Sequence, residues 1–197
     1  QHHFKVRKFI RQLRNNSHYI KYNAYKTKTG RLITTKGSFP ILTMDKKYRK
    51  IIKPKNDWLV ELDYNAAELR TLLALLDKEQ PEEDLHSWNA KNVYGGAQTR
   101  EEAKKRIFAW LYNPESKDHL SNRFYDRKIV KEKYWDGTKV ETIFKRQILA
   151  DEHHALNYII QSTFADLFFR QVIKVHKFLE NKKSFISFLI HDSLVID

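Results

Sequence analysis

The chain has 197 residues, enough for one domain or two small lobes sharing a core, and 41% of them are hydrophobic, which excludes a disordered chain. Lys and Arg number 37 against 24 Asp and Glu, a formal charge of +13, and a globular chain of that sign points to a polyanionic partner, nucleic acid above all. There is no cysteine, which excludes disulfides, thiol catalysis and zinc–thiolate sites, and no apolar run approaches the ~18 residues of a membrane span.

Taken in order, residues His3 to Leu13 read as a short helix, apolar at Phe4, Phe9, Ile10 and Leu13 and cationic at Lys5, Arg7, Lys8 and Arg11. Tyr19 to Tyr25 alternates weakly, as a strand does. Thr27 to Leu32 is a glycine turn in which Gly30 permits a positive φ and Arg31 is placed to hold a phosphate or to sit in solvent. Gly37 to Met44 is loop-like, and Tyr48 to Asn56 is an exposed basic connector. Trp58 to Leu62 is expected to be a buried strand that ends in Asp63. The period then changes: Asn65 reads as a helix cap with Glu68 three residues on, and 66–76 as a buried helix. A carboxylate at a strand end beside a helix start suits a divalent cation holding a phosphate, or it simply stops the strand.

Asp84 to Tyr94 reads as a second short helix closed by Gly95 and Gly96. Thr99 and Glu102 form a capping box, and Arg100, Lys104, Phe108 and Tyr112 follow at intervals of four. Each step of four drifts by about 40°, so the four make one slanting stripe of about 18 Å, two cations and then two rings. Cations suit phosphates and rings suit a sugar and a base; the alternative is an ordinary helix whose Phe108 and Tyr112 are core. Residues 113–137 show no sustained period, and Lys139 to Leu149 reads as helical. Glu152 to Glu180 is a long, substantially buried helix, on the order of 40 Å, with His153, Asn157 and Gln161 in polar register along one side. Those amides either read a minor groove or bond a neighbouring helix. Phe185 to Ile190 and Leu194 to Ile196 form a hairpin around His191-Asp192-Ser193, with Asp192 exposed at the turn.

In order and spacing these pieces resemble the family A DNA polymerases, the bacterial DNA polymerase I and T-odd phage replicase family. Asp63 to Arg70 (DYNAAELR) is similar to the family's motif A, usually DYSQIELR, and Arg100 to Tyr112 to motif B. His191-Asp192-Ser193 resembles motif C, usually HDE; Thr29 to Leu32 resembles TGRL; Asp84 to His86 with Val93 to Gly95 resembles DIH…VFG; Asn157 and Gln161 fall as in NxPIQG. The likeness runs from about Asn23 to Asp197. It implies an α+β fold: a right-hand polymerase palm, an antiparallel sheet backed by helices, with a helical fingers subdomain and the thumb absent or truncated. Residues 1–78 would be the N-terminal segment and first part of the palm, 79–152 the fingers, and 153–197 the second part of the palm.

The resemblance also implies template-directed DNA synthesis with primer–template DNA and deoxynucleoside triphosphates as partners, no membrane, and a cytoplasmic setting in a bacterial or phage-infected cell. Asp63 and Asp192, with the carbonyl of Tyr64, would hold two Mg2+ ions. Arg100 and Lys104 would hold the triphosphate, Lys104 also as proton donor, with His86 nearby. Phe108 would pack on the deoxyribose, Tyr112 would sit by the templating base, and Glu68 would exclude a 2′-hydroxyl. Arg31, Asn157, Gln161 and His191 would touch DNA. Ala109 and Asn113 stand where the family has glycines, His153 where it has Arg, and Ser193 where motif C has Glu. Ile41 and Thr43 depart from PNLQ, and 113–152 is short for the fingers. The start at Gln1 and the stop at Asp197 are expected of a piece of a longer polymerase. The departures also admit a degenerate, non-catalytic nucleic-acid-binding domain. A single-subunit RNA polymerase, which shares the palm, is disfavoured by Glu68.

Overall fold

The computed structural model describes residues 2–197, which form two compact units: one of 2–63 with 168–197, the other of 64–167. The divisions fall at the Asp63–Tyr64 bond and inside the longest helix.

The first unit opens with helix α1 (His2–Asn15). Strands β1 (Tyr22–Asn23) and β2 (Ile33–Thr34) pair antiparallel around the Gly30 turn. The basic connector contains a 3-10 helix, Lys46–Ile51, whose N-cap Asp45 accepts from the Lys47 amide. A three-stranded antiparallel sheet follows in the order β3 (Val60–Asp63), β7 (Ser193–Ile196), β6 (Ile186–Ile190). Ile41, Phe188, Ile190 and Val195 form its core. The phenol of Tyr22 donates to the Leu189 carbonyl at 2.5 Å and accepts from the Leu189 amide at 3.0 Å, tying the β1–β2 hairpin to β6.

Strand β3 is not the buried strand that its apolar run suggests. It lies at the edge of the sheet, all four of its residues are exposed, and Trp58, Val60 and Leu62 show 78%, 51% and 48% of their surface. Edge strands pair on one side only, so apolar residues there are not forced inside.

The second unit is mostly helical: α2 (Ala67–Leu75), α3 (Leu85–Asn92), α4 (Arg100–Tyr112), α5 (His119–Tyr125) and α6 (Arg127–Tyr134), then a hairpin of β4 (Lys139–Glu141) and β5 (Gln147–Leu149). Helix α7 (Glu152–Leu179) carries the chain on into the first unit. Leu69, Leu72, Leu73, Leu85, Ile107, Trp110, Tyr125, Val130 and Ile159 build one core. The α4 capping box is present as expected, both its bonds made by Thr99 and Glu102. Trp110 is fully buried and its indole N–H donates to Asn122 Oδ1 at 2.8 Å. Trp110→Ala removes that packing and orphans the amide, an expected loss of about 3–5 kcal/mol readable as a fall in the urea midpoint.

Three local expectations are corrected here. Asn65 does not cap α2: the N-cap is Ala66, in the left-handed region at φ +52° and with no side-chain bond. The Asn65 side-chain Oδ1 instead accepts from the backbone N–H of Leu85, the first residue of α3, while Arg70 donates to the backbone carbonyls of Asn65, Pro81 and Glu83 and pins the intervening loop. Residues 139–149 are a hairpin and not a helix. Its closing turn places Lys145 at φ +67°, with no glycine or asparagine to mark it. Residues 113–137, without visible period, hold two helices started by Asp118 and Asp126, whose carboxylates accept from Ser121 and Ile129 amides.

Candidate active site

The expected residues fall into the two units, and each group is described within its own.

In the first unit, β3 and β7 pair so that Asp63 lies opposite Ser193, and the preceding residue of the chain, Asp192, sits in the two-residue turn from β6. Adjacent strands lie about 4.8 Å apart, so the register sets the two carboxylates at one end of the sheet. His191 completes the turn at φ +51° and is exposed. The side chain of Ser193 is committed: its hydroxyl lies 3.1 Å from Glu61 Oε1 and 3.0 Å from the Ile190 carbonyl. Glu61, two residues before Asp63 and so on the same face of β3, also pairs with Arg49 at 3.4 Å. Glu61 and Arg49 were not singled out from the sequence, although the two-residue period of the strand carries Glu61 to the face of Asp63. Arg31 is exposed beside Gly30, which takes φ +76° as its turn requires, and the Thr27 hydroxyl donates to the Arg31 carbonyl at 2.8 Å.

The two carboxylates, with backbone carbonyls close by in sequence, are hard oxygen donors of the kind magnesium takes. Among the described residues, no group of three or more His, Cys, Asp or Glu side chains is gathered as a metal site.

In the second unit, α4 buries Ala103, Ile107, Trp110 and Leu111, so Arg100, Lys104 and Tyr112 lie off the core face while half-buried Phe108 packs against the core. Arg100 Nε holds Asp84 at 2.8 Å and its other end reaches Glu101. Burial raises the Asp84 pKa, but the Arg100 bond, the His86 amide and the Arg100 charge outweigh it and hold the carboxyl below its usual range. Phe108 and Tyr112 stack with centroids 5.9 Å apart and planes 9° from parallel. The Tyr112 hydroxyl donates to Glu68 Oε2, and Gln161 donates to Glu68 Oε1 at 3.4 Å. Glu68, Tyr112 and Gln161 thus meet, from α2, α4 and α7. Asn157 does not join them; it lines a cavity of about 150 Å³ with Tyr112, Lys128, Lys131 and His153. Tyr64 sets its ring edge-on to Phe164 at 5.3 Å.

His86 is 3% exposed, its ring 5.6 Å from that of Phe108, and its Nδ1 is buried without a hydrogen-bond partner among the described residues. Burial lowers its pKa below the ordinary 6.5, with Asp84 opposing and Lys104 and Arg100 adding to the shift. A neutral imidazole is therefore the folded form at pH 7. The unfolded chain binds the proton more readily, so this contribution to stability is complete above pH 6.5 and is lost as the pH falls from there towards the folded value. Melting temperature against pH is expected to fall less steeply below about pH 6.5 in His86→Asn than in the native chain, and parallel profiles would remove this assignment.

A third residue not singled out from the sequence is Arg127. Its guanidinium donates to the carbonyls of Trp110 and Asn113 at 2.6 and 2.8 Å and of Pro114 and Ser116 at 2.6 and 3.1 Å, closing the C-terminal end of α4 directly after Tyr112. No sequence pattern marks it, because its hydrogen-bond partners are all backbone; its guanidinium also lies 5.0 Å from the centroid of the Trp110 ring.

No protein-family model matches the chain, and no curated protein sequence does. Its fold is similar to that of a DNA polymerase domain. The POL domain of Pol1 from M. smegmatis, solved in complex with DNA primer-template and dNTP, is similar over 94% of this chain with a TM-score of 0.73 and 18% identity. The likeness at that identity is one of fold, and this chain spans 43% of the length of that one. Among the described residues, no helix is long and apolar enough to cross a membrane.

Proposed function

We propose that the chain is the core of a template-directed DNA polymerase of the family A type, adding deoxynucleotides to a primer 3′-hydroxyl by nucleotidyl transfer. The observation that carries this reading is the register of β3 against β7, which sets Asp63 beside the turn bearing Asp192 in a fold shared with a DNA polymerase domain. On this reading 1–78 and 153–197 form the palm and 79–152 the fingers, and primer–template DNA and deoxynucleoside triphosphates are the partners.

Asp63, Asp192 and the Tyr64 carbonyl would hold two magnesium ions, which supply charge stabilisation at the attacking and leaving oxygens of an in-line displacement. The chain's own residues do the rest. Arg100 and Lys104 neutralise the triphosphate, which competes with Asp84 and Glu101 for the Arg100 guanidinium. Lys104 would also give a proton to the departing pyrophosphate. The neutral, buried His86 supports Phe108 from behind while Phe108 packs on the deoxyribose. Tyr112 and Gln161 hold Glu68 under the sugar. Ser193, turned to Glu61, fixes the end of the sheet where the family has a carboxylate. Arg31, Asn157, Gln161 and His191 are the DNA contacts.

Magnesium-dependent extension of an annealed primer by the purified protein tests the reading. Salt-sensitive DNA binding without extension would instead favour the non-catalytic alternative, which the +13 charge alone would also support.

A further inference from the structure

We infer that one buried water bridges His86 and Asn89 on α3 and fixes the His86 imidazole as the tautomer with its proton on Nε2, which makes Asn89 a positioning residue for His86. Two orphaned atoms carry this reading. His86 Nδ1 and Asn89 Nδ2 are both buried with no hydrogen-bond partner among the described residues. The residues that bear them are 3% and 0% exposed. They stand three apart on α3, so their side chains share one side of the helix, with Cβ atoms about 5–6 Å apart. No bond joins the two nitrogens directly, and a single water reaches across a gap of that order. Buried polar atoms of this kind are ordinarily satisfied by such a water.

The surrounding bonds set the direction of each link. The phenol of Tyr125, itself fully buried, donates to Asn89 Oδ1 at 2.7 Å. The amide is thereby turned so that its NH2, which only donates, faces away from Tyr125 and needs an acceptor. A water oxygen accepts there and passes a proton of its own onward. The folded His86 ring is neutral, because burial disfavours its charge, and a neutral ring has one donor and one acceptor. Accepting the water's proton at Nδ1 leaves the ring proton on Nε2. The consequence concerns anions. Lys104 and Arg100 lie close enough to His86 to oppose its protonation. Beside them, a neutral imidazole attracts a phosphate oxygen only through the nitrogen that carries the proton; the other tautomer would turn a lone pair on that oxygen. Tyr125, Asn89 and the water thus preset a neutral donor from the core of the second unit. That the donor serves a triphosphate rests on the polymerase reading; the tautomer does not.

Nitrogen-15 NMR of the histidine-labelled chain at pH 7 tests this, with His86→Asn identifying the signal. In the native protein the Nε2-protonated ring is expected to predominate roughly tenfold, the scale of one hydrogen bond. Asn89→Leu keeps the size but removes the donor, and is expected to bring the two tautomers within about twofold of each other. Asn89→Asp presents acceptors only and is expected to move the proton to Nδ1. A native ring protonated on Nδ1, or one with no preference, would overturn the bridge, and this holds even if a variant fails to fold. So would the native tautomer persisting in both variants. In primer extension, Asn89→Leu is expected to raise KM for nucleotide about tenfold with kcat little changed, and an unchanged KM would overturn the donor's role at the phosphates. If the native protein extends no primer but its tautomer is as expected and follows residue 89, the bridge stands and the polymerase reading falls.

Discussion

Replacing Asp63 or Asp192 by Asn is expected to lower primer extension on the order of 10²–10³-fold while leaving DNA binding within about twofold, the scale on which one transition-state charge stabiliser acts. The reason is the placement of the two carboxylates. Asp63 pairs with Ser193 and Asp192 precedes it, so both stand at one end of the same sheet. An amide is close to a carboxylate in size but carries no charge, so it weakens a divalent ion's hold without reshaping the strand. The substitution also relieves like-charge repulsion between the pair, so stability is expected to stay equal or to rise slightly in both variants. Extension at native rate from either variant would overturn the nucleotidyl-transfer reading, because no other pair of acids on the sheet is so placed in register. A fall in extension together with a collapse in melting temperature would show a structural role and overturn the assignment equally. Full-length product on a gel, with thermal melting run alongside, separates these outcomes.

The second large effect is expected at Glu68. Glu68→Ala removes the group that would close the space beneath the sugar, and ribonucleotide incorporation relative to deoxynucleotide is expected to rise roughly 10–200-fold, the range in which a single pocket group discriminates. The structure adds a condition that the residue alone does not suggest. Glu68 accepts from both Tyr112 and Gln161, so its loss also frees Tyr112 at the end of α4. Tyr112→Phe keeps the ring and its stack on Phe108 but removes the bond to Glu68. It is expected to raise ribonucleotide use only part of the way. Competition between ribo- and deoxynucleotides at one template position measures the ratio directly. Equal discrimination in Glu68→Ala and the native protein would remove the sugar-gate role while leaving the polymerase reading intact.

Both expectations depend on side chains held by groups far away in sequence. Tyr112 is the last residue of α4, where carbonyls have no partner within the helix, and Arg127 takes the carbonyls of Trp110 and Asn113. Asn113 is extended and its side-chain oxygen accepts from the Glu115 amide. The α4 end is therefore held from two sides. Ser193 is a similar case. It offers no carboxylate, but its hydroxyl joins Glu61 to the β6–β7 turn, and Arg49 holds Glu61 in place.

What the sequence determined by itself was local and periodic. The α4 capping box, the stripe of Arg100, Lys104, Phe108 and Tyr112, the long run of α7, the glycine closure after α3 and the hairpin around His191-Asp192 all follow from spacing within a few residues, where side-chain direction is set by the period of the element. The order of those pieces carried the family resemblance, which no residue carried alone. What only the tertiary structure decided was partnership. Asn65 has the chemistry of a cap, but which helix it serves depends on how the chain folds back, and it serves α3. The 139–149 hairpin turns at Lys145, whose positive φ is imposed by the strands on either side and not by its own preference. The apolar run before Asp63 reads as interior by composition and lies at a sheet edge, because burial is a property of what packs against a strand. The placement of Asp63 beside Asp192, 129 residues apart, is likewise a matter of strand register. Register is settled by the whole sheet at once, and so the end of β3 is where sequence reasoning had to stop and the structure to take over.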